Sequence, residues 1–426
     1  MIDMLDFQSL IASYADCGCG MDHQCAVHDI RVGSGLVNQV GEILKENGFP
    51  RRLLLVADRD TLAAAAGIEE SLRDFDVTVH CYETLRVATM DDVRLVEGYF
   101  DRVDAVLAVG TGSIHDPCRL ACARGDKPLC LFATAPSMDG FASYNAPIVD
   151  GNFKTTHTAK CPEVIIADTK ILAAAPAALK SAGFGDMIGK YIALIDWQVS
   201  HLLTGESYCQ RVADLTRQAV DRLMDRAALV TQADEAAAEA VFESLLMTGI
   251  AMSFTKTSRP GSGTEHIMAH YWECLELLEG KVPNFHGEDV GVATLLMLRY
   301  YESLAKRETV SAHREQVDWA DVYRAYGPLA EDVRKLNTPD TITDAVDPRM
   351  LERCWPQIRE IVHSVPDYET CRAAMVAAGC KTTIEEVGKR PDFVVESFRY
   401  HPFMRRRLSL RRLANLLDDS EPFVIE

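Results

Sequence analysis

Two stretches carry side chains whose types and spacing suit a divalent metal. In Ser258-Arg259-Pro260-Gly261-Ser262-Gly263-Thr264-Glu265-His266-Ile267-Met268-Ala269-His270, proline and glycines end one helix and a new one begins at Thr264 or Glu265. His266 and His270 then lie one turn apart on one face, roughly 6 Å between Cβ atoms. Such a pair can hold one metal, or one ring can ligate while the other touches a substrate. A third imidazole follows in Asn284-Phe285-His286-Gly287-Glu288. Upstream, Gly185-Asp186-Met187-Ile188-Gly189-Lys190 opens a helix that continues YIALIDWQ. Asp186 offers a hard oxygen ligand, although an (i, i+4) ion pair with Lys190 explains it equally. One carboxylate and two imidazoles with open positions suit a catalytic Zn, Ni or Fe(II).

A second chemistry lies earlier in the chain. The apolar run DAVLAVG passes into Gly110-Thr111-Gly112-Ser113-Ile114-His115-Asp116 and then a helical segment. Glycines at a strand-to-helix turn let backbone amides approach a pyrophosphate, whose charge the helix N-terminus favours. The turn lacks the full G-x-G-x-x-G pattern and follows the third strand instead of the first. Asp58 ends an earlier strand, where an acidic side chain reads a ribose diol and disfavours a 2′-phosphate; it could instead cap the helix that follows. The loop Thr134-Ala135-Pro136-Ser137-Met138-Asp139-Gly140-Phe141-Ala142-Ser143 adds hydroxyls and a carboxylate where open α/β sheets bind ligands.

Cys17, Cys19, His23, Cys25 and His28 crowd into CGCGMDHQCAVH. Thiolates and imidazoles are zinc ligands, but C-x-C-x5-C matches no standard zinc knuckle, so a glycine-rich hairpin is the preferred reading.

The elements that must position these groups change character along the chain. RRLLLVAD (51–58), DVTVHCY (76–82), DAVLAVG (104–110), PLCLFATAP (128–136) and EVIIAD (163–168) read as strands alternating with helices, hence a mainly parallel sheet. After residues 173–176 long amphipathic runs such as EAAAEAVFESLLMTGIAMSF replace them. The expected architecture is an α/β dinucleotide-binding domain, 1–172, followed by an all-α metal- and substrate-binding domain, 173–426. The arginines at 399, 405–407 and 411–412 read as a solvated helix face or subunit contact.

With 48% hydrophobic and 25% charged residues the composition is that of a globular enzyme. A net charge of −19 argues against a general nucleic-acid or membrane-surface binder, so an anionic substrate needs local cations. No uninterrupted apolar stretch approaches the roughly 20 residues of a membrane span, and the acidic N-terminus lacks the basic start of a secretory signal. The thirteen cysteines, odd in number and scattered, read as reduced thiols of a cytoplasmic protein.

GTGSIHD, TAPSMDGFAS, GFGDMIGK, SRPGSGTEHIMAH and FHG, in this order, resemble the sn-glycerol-1-phosphate dehydrogenase family of the glycerol dehydrogenase, dehydroquinate synthase and iron-containing alcohol dehydrogenase superfamily. The resemblance spans roughly residues 15 to 400, and the early C-x-C-G segment resembles bacterial members. It implies a dehydroquinate synthase-like fold, with Asp186, His266 and His286 as catalytic metal ligands. His270 then faces the substrate, Asp139 holds its hydroxyls and Asp186 contacts it too. The resemblance assigns the cofactor, NAD(H) with NADP(H) as alternative, to Asp58, Gly112, Ser113, Ile114, His115, Asp116, Thr134, Ala135, Pro136, Ser137 and Ser143. The implied reaction is reversible reduction of dihydroxyacetone phosphate to sn-glycerol 1-phosphate by a homo-oligomer. An unphosphorylated-polyol dehydrogenase, a dehydroquinate synthase-like cyclase and a non-catalytic nucleotide-binding module are the rivals. Arg259, Lys154, Lys160 and Lys281 are the candidate phosphate contacts. Gly261 and Thr264 depart slightly from the residues expected of the family, and the arginine-rich C-terminus resembles it least.

Overall fold

The computed structural model describes residues 6–418. Eight strands are formed: β1 (Asp29–Gly33), β2 (Arg52–Asp58), β3 (Asp76–Tyr82), β4 (Ala105–Gly110), β5 (Leu129–Ala133), β6 (Asn145–Asp150), β7 (Phe153–Thr158) and β8 (Val164–Asp168). Six make one sheet in the order β1-β8-β5-β4-β2-β3, and every pairing in it is parallel. The continuous apolar runs become the inner strands. Every residue of β4, β5 and β8 is buried, as expected where helices cover both faces. Edge strands β1 and β3 are only partly buried, consistent with their mixed polar sequences.

Two features of this half lie outside the sequence-based expectation. β1 is short, charged and paired on one side only, so DIRVG carries no apolar run to mark it. β6 and β7 form an antiparallel hairpin in which Asp150 faces Phe153. Its two loop residues, Gly151 and Asn152, both have positive φ, the geometry that two-residue hairpins favour.

The chain moves from β2 outward to β3, then returns to place β4 on the other side of β2. The carboxyl ends of β2 and β4 therefore flank the point where strand order reverses, which is where open α/β sheets bind ligands. Asp58 ends β2, and Gly110 ends β4.

Beyond β8 the described residues are helical, apart from a single bridge between Ala312 and Leu417. Helix Glu235–Thr255 is long and apolar enough to cross a membrane, but 89% of its apolar window is buried inside the protein, as the central helix of a core. Helices Ala177–Ile188 and His286–Ala305 pack backbone to backbone. A Cβ on Gly185 would meet the Gly287 carbonyl oxygen at 2.2 Å, and one on Gly287 would meet that of Ala182 at 1.8 Å. Only glycine permits this approach.

Three expectations are corrected. Asp186 lies in the last turn of Ala177–Ile188, not at a helix start; the glycines of GFGD serve close packing, Gly183 against the Pro136 carbonyl and Gly185 against the facing helix, instead of breaking the helix. Residues 17–28 form an irregular loop, not a hairpin. The C-terminal arginines are largely buried: Arg412 pairs with Glu315 at 2.9 Å, and the Arg411 guanidinium stacks 4.4 Å from the Phe398 ring. Arg407 bonds the Ser262 carbonyl and the Ser258 hydroxyl, and only Arg399 and Arg406 stay exposed.

Candidate active site

The glycine contact carries two predicted ligands with it. Asp186 follows Gly185 and His286 precedes Gly287, so the close helix packing sets both side chains at one locus. Helix Thr264–Leu278 brings His266, and one ligand atom each from Asp186, His266 and His286 lies within 4.8 Å of the others. His266 Nε2 is 3.1 Å from Asp186 Oδ1.

Two carboxylates orient all three imidazoles. Glu265 Oε1 is 2.6 Å from His266 Nδ1. Glu273 reaches His270 Nδ1 with one oxygen and His286 Nδ1 with the other, each at 2.8 Å. Each Nδ1 then donates to a carboxylate; the Nε2 atoms of His270 and His286 are left as potential ligands or acceptors, while that of His266 donates to Asp186 Oδ1 and ligates on losing its proton. His270, Glu273 and His286 also have ligand atoms within 4.8 Å of one another, but Glu273 is committed to the two rings. The residues therefore fit a divalent metal between Asp186, His266 and His286: a carboxylate and two imidazoles, each held from behind.

The charges are strongly coupled. Burial alone would raise the Asp186 pKa, but the Lys190 ammonium and the His266 hydrogen bond hold it far below the carboxylate range. Lys190 Nζ lies 2.8 Å from Asp186 Oδ1 and 2.6 Å from Asp139 Oδ2, and these two partners outweigh its burial, pushing it up to about 12. The (i, i+4) pair read from the sequence is present, and Asp139 extends it. Asp139 is itself raised, by burial and by the neighbouring Asp186 charge. His266 is held at about 9, because bonds to Asp186 and Glu265 outweigh burial. Burial keeps His270 neutral, well below the ordinary histidine value, despite Glu273.

Asp139 and Asp186 approach along the backbone as well, the Asp139 amide donating to Asp186 Oδ2 at 3.1 Å. A Cβ on Gly261 would stand 2.8 Å from Asp139 Oδ2. The residue that departs from the family expectation thus leaves room for this carboxylate.

The dinucleotide residues are more dispersed in role. Helix Gly112–Gly125 starts at the turn after β4, and its Ile114 and His115 amides bond the Thr111 carbonyl. The amides of Gly112 and Ser113 have no carbonyl one turn earlier to bond. Ser113 Oγ donates to the Leu85 carbonyl at 2.7 Å. Ile114 is buried, and the His115 ring is wholly buried with neither nitrogen bonded, so only the backbone of these two residues faces the turn. Asp116 pairs with Arg119 at 3.0 Å, and Ser143 Oγ receives the same guanidinium at 3.0 Å. Thr134, Ala135 and Ser137 are buried in the loop after β5, and the Pro136 carbonyl packs on Gly183. Asp58 caps its helix through the Thr61 amide at 2.9 Å and accepts from the Leu85 amide at 3.3 Å, so the capping reading holds.

Among the four phosphate candidates, Lys154 comes to the site: its Nζ is 2.9 Å from Glu273 Oε2. Arg259 is buried against Glu206 at 2.5 Å, Lys160 pairs with Glu163 at 2.8 Å, and Lys281 with Glu279 at 2.6 Å. Glu265, Glu273 and the double role of Lys190 were missed from sequence. For Glu273 a signal existed, since H-x-x-E places His270 and Glu273 on one helix face.

The family model described as iron-containing alcohol dehydrogenase matches residues 31–176. A glycerol-1-phosphate dehydrogenase (NAD(P)+) of Halalkalibacterium halodurans is 34% identical over 353 residues, 79% of this chain and 86% of that protein. The Geobacillus stearothermophilus protein of the same name is 30% identical across 98% of this chain and 99% of its own length. In fold, the chain is similar to the glycerol dehydrogenase of Schizosaccharomyces pombe (TM-score 0.62, 15% identity, covering 93% of this chain and 86% of that one). It is also similar to a 1,3-propanediol oxidoreductase (TM-score 0.64, 17% identity, covering 92% and 96%). Together with the dehydroquinate synthase-like architecture, these relatives make the chain a member of the glycerol-1-phosphate dehydrogenase family of iron-containing alcohol dehydrogenases, and thus an NAD(P)-linked dehydrogenase.

Proposed function

We infer that the enzyme reduces dihydroxyacetone phosphate to sn-glycerol 1-phosphate, reversibly, with NAD(H) as its preferred cofactor. The observation that carries this is the meeting of Asp186, His266 and His286 beside Asp139, His270 and the Lys154 ammonium, which Glu273 holds at the site. Residues 1–172 and 173–426 act as cofactor and metal domains. The names of the relatives support the substrate; the Asp58 carboxylate, although it caps its helix, puts negative charge at the end of β2 and so supports NAD(H) over NADP(H).

A Zn, Ni or Fe(II) ion held by Asp186, His266 and His286 would supply Lewis acidity to the ketone oxygen. Asp139, kept in place by Lys190, accepts hydrogen bonds from the substrate hydroxyl. Amides of Gly112 and Ser113 hold the pyrophosphate, which orients the nicotinamide. The bound cofactor would supply hydride to the carbonyl carbon, and the oxygen would take up one proton to give the alcohol. His270 Nε2, the acceptor nitrogen of a neutral ring, positions the water that delivers this proton. Lys154 Nζ, beside Glu273, meets the phosphate. All thirteen cysteines are unpaired, which supports a cytoplasmic enzyme.

The test is NADH oxidation with dihydroxyacetone phosphate against dihydroxyacetone, followed by enantiomer-resolved analysis of the product. The phosphorylated ketone should be strongly preferred, the product should be the 1-phosphate enantiomer, and Lys154→Met should raise KM for the phosphorylated ketone alone. Equal turnover of the two ketones, or the 3-phosphate enantiomer as product, would sink the assignment.

A further inference from the structure

The N-terminal cysteine loop has a partner that its own sequence does not contain. Cys209, from the start of helix Gln210–Met224, comes within 3.6 Å of Cys17, Sγ to Sγ, across 192 residues of chain. Cys19 Sγ lies 3.0 Å from His23 Nε2. One ligand atom from each of Cys17, Cys19, His23 and Cys209 lies within 4.8 Å of every other. Cys25, the remaining cysteine of the loop, is not in this group and remains unpaired.

We propose that Cys17, Cys19, His23 and Cys209 form a second metal site, a closed Cys3His zinc site that shares no residue with the Asp186 cluster. Three thiolates and one imidazole form a recurrent structural-zinc donor set, and soft sulfur ligands disfavour Mg or Ca. The size fits. A tetrahedron with Zn–S of about 2.3 Å and Zn–N of about 2.0 Å has S–S edges near 3.8 Å and S–N edges near 3.5 Å. The 3.6 Å sulfur pair is far from the roughly 2.05 Å of a disulfide.

The surroundings prepare the donors for a cation. His23 Nδ1 is 3.1 Å from the Phe254 carbonyl, which fixes the tautomer and turns Nε2 toward Cys19. The ring is buried and meets Tyr14 edge-on at 5.9 Å, while Tyr14 stacks on Phe254 at 4.6 Å. The Met21 amide points at Cys19 Sγ from 3.5 Å. Cys209 occupies the N-cap of a 15-residue helix, where the partial positive charge of the helix end favours a thiolate. Gly20, with φ +83°, turns the chain between Cys19 and His23. Four protein ligands leave no open position, so the site is structural: it fastens the first helix, Phe7–Ser13, and its loop to the helical half.

The test separates the two sites by their ligands. Protein purified under reducing conditions should carry two metals per chain, and Asp186→Ala should retain one. Cobalt(II) exchanged into Asp186→Ala should give a sulfur-to-cobalt charge-transfer band in the near ultraviolet, which an Asp/His/His site cannot produce. Cys19→Ser, at an exposed position, should lose most of that band and one metal equivalent, as should Cys209→Ser. Absence of the band in folded Asp186→Ala, unchanged metal content in Cys19→Ser, or a Cys17–Cys209 disulfide found by peptide mapping of the reduced-purified protein would each overturn the proposal.

Discussion

Glu273 is the residue on which two imidazoles depend. Its carboxylate accepts from His270 and His286 at once, while Lys154, His286 and His270 outweigh burial and hold its pKa well below the usual range. An amide in its place can accept from one ring only and presents N–H to the other. Glu273→Gln is therefore expected to lower kcat and metal affinity on the order of 10- to 100-fold. NADH affinity, followed by fluorescence titration, should stay within about twofold; an equal loss of NADH binding would point to general disruption. The histidines and Asp186 were legible in the sequence because metal-binding residue types stood beside glycines. Glu273 was not, because its role exists only where two helices place His270 and His286 on either side of one carboxylate.

At the scale of elements, the site depends on how closely two helices pack. Gly287→Ala would put a Cβ 1.8 Å from the Ala182 carbonyl oxygen, a backbone atom that cannot rotate away. The helices must separate, taking His286 from Asp186. The expected cost is about 3 kcal/mol or more, read as a lower denaturant midpoint, together with reduced metal content; a midpoint unchanged from wild type would refute the packing argument. The parallel sheet was legible because its inner strands are unbroken apolar runs. β1 and the β6–β7 hairpin were not, since edge strands with polar faces show little periodicity. The sequence pattern also misplaced the start of the Asp186 helix, because glycines required for helix contact look like glycines that end helices.

At the scale of the whole molecule, two buried histidines tie stability to pH. Burial, aided by Arg119 and Arg411 respectively, holds His115 and His401 down at about 3. A histidine of depressed pKa binds fewer protons folded than unfolded. Its contribution is complete above the unfolded value of about 6.5 and is lost as pH falls from there toward 3. At about 1.4 kcal/mol per unit, the pair should cost on the order of several kcal/mol by pH 4. His115→Phe, which fills the pocket beside Phe141 without a titrating ring, should flatten the fall in unfolding free energy between pH 7 and pH 4. Parallel slopes for variant and wild type would refute this account. His115 lies in the turn read as a cofactor site, and nothing in the sequence distinguishes a ring that meets a ligand from one folded inward.

The β6–β7 hairpin has a mechanical consequence. By chain order it belongs with the sheet, yet Lys154 alone ties it to the helical half three times. Its ammonium meets Glu273, its amide donates to Cys274 Sγ at 3.3 Å, and its carbonyl accepts from Arg405 at 2.6 Å. The hairpin is thus part of the seam between the two halves, which Asp139 also closes through Lys190 and Asp186, so a change at Lys154 is felt on both sides of it at once.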